Sequence, residues 1–152
     1  MRYFELPTKE GGYTRTGTRT PMQWDNTENK GFSKAPADKL YLPIDPADDA
    51  PTVADQEKDP ESLLNTVKKL TALRHEYKDL SADGSFEIIY AEKEEFPFVY
   101  RRGDLIIAIN PSDKKTAASL PKNNMETVFK IGNAELKDAS LLMPPQSFVV
   151  LK

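Results

Sequence analysis

The chain has no cysteine and only one histidine among its 152 residues. A disulfide framework and a thiolate metal site are therefore excluded, and the lone His75 has no second histidine or cysteine with which to share a metal. We expect no metal and no cofactor. The chain also lacks an excess of charge of one sign, since its net charge is only −3. Nucleic-acid binding, which needs clustered lysine and arginine, is not expected.

Long apolar runs are missing as well. No stretch approaches the about 20 apolar residues of a membrane span, and the opening residues, Met1–Pro7, have no signal-peptide core. We therefore expect no membrane partner and a cytoplasmic location. The hydrophobic content of 38% and the charged content of 30% are typical of one folded domain or of two small units.

Residues 1–58 are interrupted by glycine and proline too often for a long helix or an interior strand. Connections between elements are usually only about 4–6 residues long, so such a run is unusual inside a compact domain. The segment is either a functional loop or a loop that has been separated from the body on which it lay.

An amphipathic helix is predicted to follow, over residues 60–80. Asp59 is suited to cap its first turn, and Pro60 suits the first helical position. Apolar residues recur at spacings of three and four along it, namely Leu63, Val67, Leu70, Leu73, Tyr77 and Leu80. This stripe must pack against another element, and the helix should end near residues 79–81.

From Ser85 onward, alternating or short apolar runs are separated by turn residues. Strands are predicted over residues 86–90, 96–101, 105–110, 116–120, 126–131, 136–142 and 148–151. Short strands at this spacing predict a small antiparallel β-sandwich with its core between two sheets. We place the domain boundary between residues 1–81 and residues 82–152.

Residues 11–25 combine two arginines, Arg15 and Arg19, with the carboxamide of Gln23 and the indole of Trp24. Loops on a rigid scaffold often carry binding residues. A guanidinium donates to hydroxyl groups in a fixed fork, and an aromatic face covers the apolar side of a pyranose. The combination fits a sugar, although arginine and tryptophan in loops also serve packing and ion pairs.

Residues 19–25 read Arg-Thr-Pro-Met-Gln-Trp-Asp, and residues 29–33 read Asn-Lys-Gly-Phe-Ser. With Ser-Leu-Leu at 62–64, they resemble the end of the catalytic barrel in oligosaccharide α-glucosidases and trehalose synthases, which belong to the α-amylase family, glycoside hydrolase family thirteen. Lys30 departs from the small residue expected in the Asn-x-Gly-Phe motif. The resemblance implies a mainly β chain: an antiparallel β-sandwich C-terminal domain, preceded by the last loop and last helix of a truncated (β/α)8 barrel.

The resemblance also implies substrate-binding residues. Arg19 matches the arginine that, in exo-acting relatives, pairs with an aspartate of an early barrel loop and closes the pocket around the terminal glucose. Arg15 either holds the loop or contacts substrate, Trp24 belongs to the loop core or to a stacking platform, and Gln23 stays open. No catalytic residue is expected, because the family brings its nucleophile and its acid/base from earlier strands. The remaining carboxylates should cap and solvate the loop: Asp25, Asp45, Asp48, Asp49 and Asp55.

The leading interpretation is the C-terminal portion of a retaining glycoside hydrolase that acts on α-glucosidic bonds of short oligosaccharides. The portion would provide a pocket wall and a stabilising β domain, would be inactive alone, and would have the oligosaccharide and the missing catalytic barrel as partners. An isomerase resembling trehalose synthase would use the same pocket. A third alternative is a carbohydrate-binding or interaction β module, with a stacking strip of Tyr90, Phe96, Phe98 and Tyr100 instead of core aromatics. The helix stripe also favours a homodimer of the fragment.

Overall fold

The computed structural model describes residues 9–10, 13–14 and 19–152. The chain divides into two compact units between Ala72 and Leu73, and each unit is described by itself. The domain boundary expected between residues 81 and 82 stays a prediction. No helix in the described part of the chain combines the length and the apolar character that crossing a membrane requires.

The first unit consists of short elements joined by irregular backbone. Strands β1 (Lys9–Glu10) and β2 (Tyr13–Thr14) pair antiparallel, and the helices are α1 (Val53–Lys58) and the first part of α2 (Leu63–Glu76). Two 3-10 turns lie between them, at Glu28–Gly31 and Ala37–Lys39. Helix α1 differs from the irregular backbone predicted over residues 1–58.

Both helices begin at a hydroxyl side chain. Thr52 Oγ1 accepts a hydrogen bond from the Asp55 amide at 3.1 Å, and Ser62 Oγ accepts one from the Asn65 amide at 3.2 Å. Each bond satisfies an amide that has no partner within its helix. Helix α2 begins later than the predicted start at residue 60, because Ser62 caps it, whereas Asp59 caps the turn before it.

The second unit is an antiparallel β-sandwich that follows the end of α2. Its strands are β3 (Glu87–Tyr90), β4 (Phe98–Arg102), β5 (Leu105–Asn110), β6 (Thr116–Ser119), β7 (Thr127–Ile131), β8 (Glu135–Lys137), β9 (Ser140–Met143) and β10 (Ser147–Leu151). One sheet has the order β3-β4-β5-β10-β7, and the other has the order β6-β9-β8. The predicted class, mainly β with antiparallel sheets, is confirmed.

The segment predicted as one strand over residues 136–142 is a hairpin. Lys137 pairs with Ser140, so only Asp138 and Ala139 form the turn between β8 and β9. Both turn residues have positive φ, 49° and 61°, as a type I′ turn requires. Neither residue is a glycine or an asparagine, and the usual sequence signal for this turn is therefore absent.

The main core of the second unit lies between its two sheets. Val99, Ile106 and Val149 of the five-stranded sheet are at most 3% exposed. They belong to one buried cluster with Leu141 and Met143 of the three-stranded sheet. Complete burial of such a side chain stabilises the fold by about 1.5–3 kcal/mol. The two inner faces thus form the predicted sandwich core.

The other face of the five-stranded sheet is covered by the end of helix α2. Leu105 and Ile107 alternate along β5 with residues of the main core, so they point to this second face. Leu73 packs on them. Tyr77, which precedes the 3-10 turn Lys78–Leu80, and Leu80 within that turn join the cluster. Strand β5 is buried on both faces, which explains its nearly continuous apolar sequence.

The chain between α2 and β3 is fixed to the β4–β5 turn. Arg102 Nη2 donates hydrogen bonds to the carbonyl oxygens of Ser81 and Gly84, at 2.6 and 3.1 Å. Gly103 has a φ of +55°, and a Cβ there would lie 2.2 Å from Cγ of Asp79. The turn therefore admits only glycine beside the Asp79 carboxylate. We call Asp79, Arg102 and Gly103 the connector clamp.

Candidate functional site

The loop that carries the predicted binding residues is attached to helix α1 through its backbone. The amides of Val53 and Ala54, the first residues of α1, donate to the carbonyl oxygens of Gln23 and Trp24, both at 2.9 Å. The first amides of a helix have no hydrogen-bond partner within it, so the carbonyl groups of the loop provide the partners that these amides need. The Gln23–Trp24 segment is therefore held against the start of α1.

Asp25 stabilises the turn that follows this segment. Its Oδ1 accepts hydrogen bonds from the hydroxyl and the amide of Thr27, at 2.5 and 2.8 Å. The hydroxyl bond first, and then the amide bond, favour the ionised carboxylate and lower the pKa of Asp25. A Cβ at Gly31 would lie 2.8 Å from the same oxygen. Asp25 acts within the loop as a structural acceptor, in agreement with the predicted capping role.

A side-chain relay also joins the loop to α1. Asn26 Nδ2 and Thr52 Oγ1 both donate to Oδ2 of Asp55, at 2.8 and 2.7 Å. Lys30 Nζ donates to Asn26 Oδ1 at 3.0 Å, so this carboxamide bridges an ammonium group and a carboxylate. The bonds from Thr52 and then from Asn26 lower the pKa of Asp55, because they favour its charged form. We call the pair Asn26 and Asp55 the clasp.

The predicted substrate-binding residues differ in their surroundings. Arg15 lies outside the described residues, and Arg19 is exposed near the start of the loop. The Trp24 side chain is 49% exposed. The carboxamide oxygen of Gln23 is buried and accepts no hydrogen bond within the described part of the chain.

A pocket of about 400 Å³ lies beside the clasp. Asn26, Thr27 and Lys30 provide polar groups on its wall, and Leu40 and Pro43 contribute apolar surface. This mixture and this volume are typical of small-molecule pockets, which range from about 300 to 1,000 Å³. The pocket shares Asn26 and Lys30 with the relay, so a ligand bound there would contact the residues that hold the loop.

The aromatic residues of the β domain do not form one flat strip. The Phe98 and Tyr100 rings lie 5.2 Å apart with their planes tilted by 31°, and Phe86 lies 5.1 Å from Tyr100 at a tilt of 33°. Tyr100 contributes to the cluster under the end of α2, whereas Tyr90 packs against the main core. Phe96 is 41% exposed. Tyr90 and Tyr100 therefore belong to the core clusters, whereas Phe98 and Tyr100 pair along strand β4.

The other polar candidates are not assembled into a site. His75 is exposed on α2. Asp45 Oδ1 accepts a hydrogen bond from the Ala47 amide at 3.0 Å, which is again a capping contact. Over residues 19–152 and the two short described strands before them, no group of three or more histidine, cysteine, aspartate or glutamate side chains is placed to hold a metal ion.

A family model described as the catalytic domain of alpha amylase matches residues 5–83, more than half of the chain. The chain belongs to the α-amylase family. The part that matches the α-amylase catalytic domain contains the loop with Gln23 and Trp24, the clasp, and all of helix α2. The motif resemblance in residues 19–33 is thereby confirmed.

Its α-amylase-family relatives are several times longer than this chain. "Probable oligo-1,6-glucosidase 2" of Bacillus subtilis (strain 168) is 32% identical over 147 residues, which cover 91% of this chain and 25% of that protein. The oligo-1,6-glucosidase of Parageobacillus thermoglucosidasius is 34% identical over 113 residues, which cover 70% of this chain and 19% of that protein. The chain thus spans about a quarter or less of the curated relatives that it matches.

Solved structures of the family agree with this placement. The trehalulose synthase MutB from Pseudomonas mesoacidophila MX-45 superposes with a TM-score of 0.78 at 26% identity, over 91% of this chain and 26% of that one. A mutant of MutB from crystals soaked with trehalulose gives the same values. The match includes a large part of the β domain, for which the sequence motifs alone gave only a general similarity.

The sequence motifs did not identify the clasp as part of the site. Thr52 and Asp55 have the Thr-x-x-Asp spacing that can cap the start of a helix, but no helix was predicted before residue 60, so this signal was missed. The bond between Asn26 and Asp55 joins residues 29 positions apart, and no local pattern indicates it. Lys30 was noticed only as a departure from the family motif, whereas in the structure it orients the Asn26 carboxamide.

Proposed function

We propose that this chain supplies one wall of the sugar pocket and the supporting β domain of a retaining glycoside hydrolase that acts on α-glucosidic bonds of short oligosaccharides. The observation that carries the proposal is the 32% identity with "Probable oligo-1,6-glucosidase 2", because it extends over 91% of the chain. Similarity of this extent includes the binding loop and the β domain together.

The chemistry of the loop supports a role in binding. Trp24 presents a half-exposed indole, and the buried Gln23 oxygen lacks a donor within residues 19–152. A sugar has apolar C–H faces that suit the indole, whereas the Gln23 oxygen is enclosed and is not reached from solvent. Arg19 is exposed in the same loop, and its match to the pocket-closing arginine of exo-acting relatives supports the terminal glucose as its proposed ligand.

We assign no catalytic carboxylate to this chain. A retaining glycosidase needs a nucleophile and an acid/base about 5–5.5 Å apart across the bond that is cleaved. Asp25 and Asp55 both serve as hydrogen-bond acceptors in the loop, and both have lowered pKa values. A lowered pKa is unsuited to a general acid at neutral pH. The 152-residue chain should therefore release no glucose from maltose, isomaltose or an aryl α-glucoside.

A chimera tests the pocket-wall role. Residues 5–152 replace the matching part of the Bacillus subtilis relative, and hydrolysis of isomaltose is measured by glucose release. We expect an active chimera in which Arg19→Ala lowers kcat/KM by at least about tenfold, since a hydrogen bond to a charged group contributes about 1.5–3 kcal/mol.

Arg74→Ala is the matched control, because Arg74 is exposed on α2. Its kcat/KM should stay close to that of the unmodified chimera. Equal kinetic effects of the two arginine substitutions would contradict a substrate contact by Arg19. A folded chimera without hydrolytic activity would contradict the proposed hydrolase function of this segment.

The alternative is a glucosyl isomerase. The structural similarity to trehalulose synthase, at a TM-score of 0.78, favours this alternative. The two functions differ in whether water or a sugar hydroxyl takes the glucosyl group. Product analysis of the chimera with sucrose as substrate distinguishes them: free glucose and fructose indicate hydrolysis, and an isomeric disaccharide indicates isomerisation.

We also propose a homodimer of the isolated chain in the cytoplasm. Leu63 and Val67 lie one helical turn apart on α2 and are 75% and 51% exposed. Such side chains gain about 1.5–3 kcal/mol each on full burial. Sedimentation should give a dimer that Leu63→Lys converts to a monomer, and a monomeric unmodified chain would exclude the dimer.

A further inference from the structure

Trp24 is held by both of its backbone groups. Its amide donates to the Lys30 carbonyl oxygen at 2.8 Å, and its carbonyl accepts from the Ala54 amide at 2.9 Å. The Asp25 amide donates to the same Lys30 oxygen at 3.2 Å. The indole therefore projects from backbone that is tied to the Asn-Lys-Gly turn on one side and to helix α1 on the other.

The turn that provides the Lys30 carbonyl is conformationally costly. Asn29, Lys30 and Gly31 are consecutive residues with φ of 51°, 54° and 70°. Residues other than glycine are disfavoured in this left-handed region. Asn29 offsets part of this cost, because its Nδ2 donates to the carbonyl oxygens of Ser33 and Ala35, at 2.9 and 2.7 Å.

The clasp connects the same turn to helix α1 through side chains. Lys30 donates to Asn26, and Asn26 donates to Asp55, which also receives the hydroxyl of the α1 cap residue Thr52. Thr52 is completely buried, so the inner end of this relay is rigidly placed. The relay thus spans the Trp24 segment from the turn on one side to the helix on the other.

We propose that Asn26 and Asp55 are positioning residues, which fix the Gln23–Trp24 segment in the orientation that contacts sugar. The sugar-contacting part of this inference rests on the function proposed above, whereas the positioning of Trp24 does not. Neither residue needs to touch the ligand, because each acts through the backbone that carries Trp24. Lys30, which stands where the family motif has a small residue, provides the outer end of the relay.

The only tryptophan of the chain is Trp24, so its fluorescence reports on this segment alone. The experiment uses the whole chain with Asn26→Ala, Asp55→Ala and the double variant. Asn26→Ala leaves the Thr52–Asp55 cap of α1 intact, so it breaks the clasp without removing the helix start. Asp38→Ala is the control, because Asp38 is 71% exposed and pairs only with the adjacent Lys39 among the described residues.

Acrylamide quenching of Trp24 is the first measurement. Release of the segment should raise the quenching constant by up to about twofold, because Trp24 is only 49% exposed before release. Both single variants and the double variant should give the same increase, because the two residues act as one unit. Asp55→Asn, which keeps an acceptor oxygen, should restore part of the original value, and Asp38→Ala should change nothing.

Isomaltose titration, followed by the same fluorescence, is the second measurement. The unmodified chain should bind isomaltose, and Asn26→Ala should bind it at least about tenfold more weakly, which corresponds to about 1.4 kcal/mol. A quenching constant that is unchanged in Asn26→Ala would overturn the positioning role whatever the sugar does. If Asn26→Ala increases quenching but even the unmodified chain binds no isomaltose, the positioning of Trp24 is supported and the proposed sugar contact is overturned.

Discussion

The end of helix α2 provides a stringent test of what covers the second face of the five-stranded sheet. Leu73 is 9% exposed and packs on Leu105 and Ile107, whereas Leu63 on the same helix is 75% exposed. Leu73→Ala should lower the free energy of unfolding of the second unit by about 2–3 kcal/mol. The transfer of a leucine side chain contributes about 1.5–3 kcal/mol, and the cavity left behind adds to the loss. Leu63→Ala should change it by less than about 0.5 kcal/mol.

Urea unfolding followed by circular dichroism compares the two variants under identical conditions. Hydrogen exchange in β5 and β10 adds a local measurement, because Ile107 and Val150 lie in the cluster that contains Leu73. Their amides should lose protection in Leu73→Ala and keep it in Leu63→Ala. Equal losses of stability in the two variants would refute the conclusion that the helix end, and not the whole apolar stripe, is packed.

Three further predictions concern turns, a buried amide and pH. Gly103→Ala should lower the free energy of unfolding by more than about 1 kcal/mol, because φ is +55° and the new Cβ meets Asp79. Ala139→Gly should raise the free energy of unfolding by about 0.5–1 kcal/mol, because Ala139 has a φ of 61°. Thermal melts measure both changes. Asn110 is fully buried, and its Nδ2 donates to the carbonyl oxygens of Lys114 and Pro144 at 2.8 and 2.7 Å. Asn110→Asp should therefore cost at least about 2 kcal/mol in urea unfolding, since the carboxylate cannot donate; a neutral result would contradict this role. Hydrogen bonds from Thr52 first, and then from Asn26, lower the pKa of Asp55. The contribution of this carboxylate to stability is therefore present above the ordinary carboxyl pKa and is lost as pH falls through the lower pKa of the folded state. Trp24 emission should thus stay constant from neutral pH down to the ordinary carboxyl range and change below it; a transition near neutral pH would show that another group controls the loop.

Local sequence patterns predicted most of the β domain. Alternation and turn residues placed strands close to their observed positions, because each side of a sandwich strand has a different environment. The exception is the hairpin at Asp138 and Ala139, where the backbone adopts positive φ without the residues that normally favour it. The tertiary pairing of β8 with β9 determines this turn, and it leaves little signal in the local sequence.

The candidate site was predictable only in part. Family motifs indicated Arg19, Gln23 and Trp24, because those motifs are contiguous in the sequence. The clasp depends on a contact between residues 29 positions apart, and its helix is only six residues long. Periodicity cannot identify so short a helix, since it contains less than two turns. The apolar stripe predicted over residues 60–80 was correct only in part: α2 ends at Glu76, before Tyr77 and Leu80, and Leu63 and Val67 are exposed. Which part of the stripe is covered depends on the sheet, and periodicity in the sequence carries no information about that.

The connector clamp limits how this domain can be exchanged between proteins. Arg102 and Asp79 fix the chain that leaves α2, so that chain is not a flexible linker whose length is free to vary. A sandwich transplanted from residue 82 onward would leave Leu105 and Ile107 without the Leu73 and Leu80 side chains that cover them. The smallest portable module is accordingly the sandwich together with the last turn of the helix, and recombination points upstream of residue 73 are the ones that preserve it.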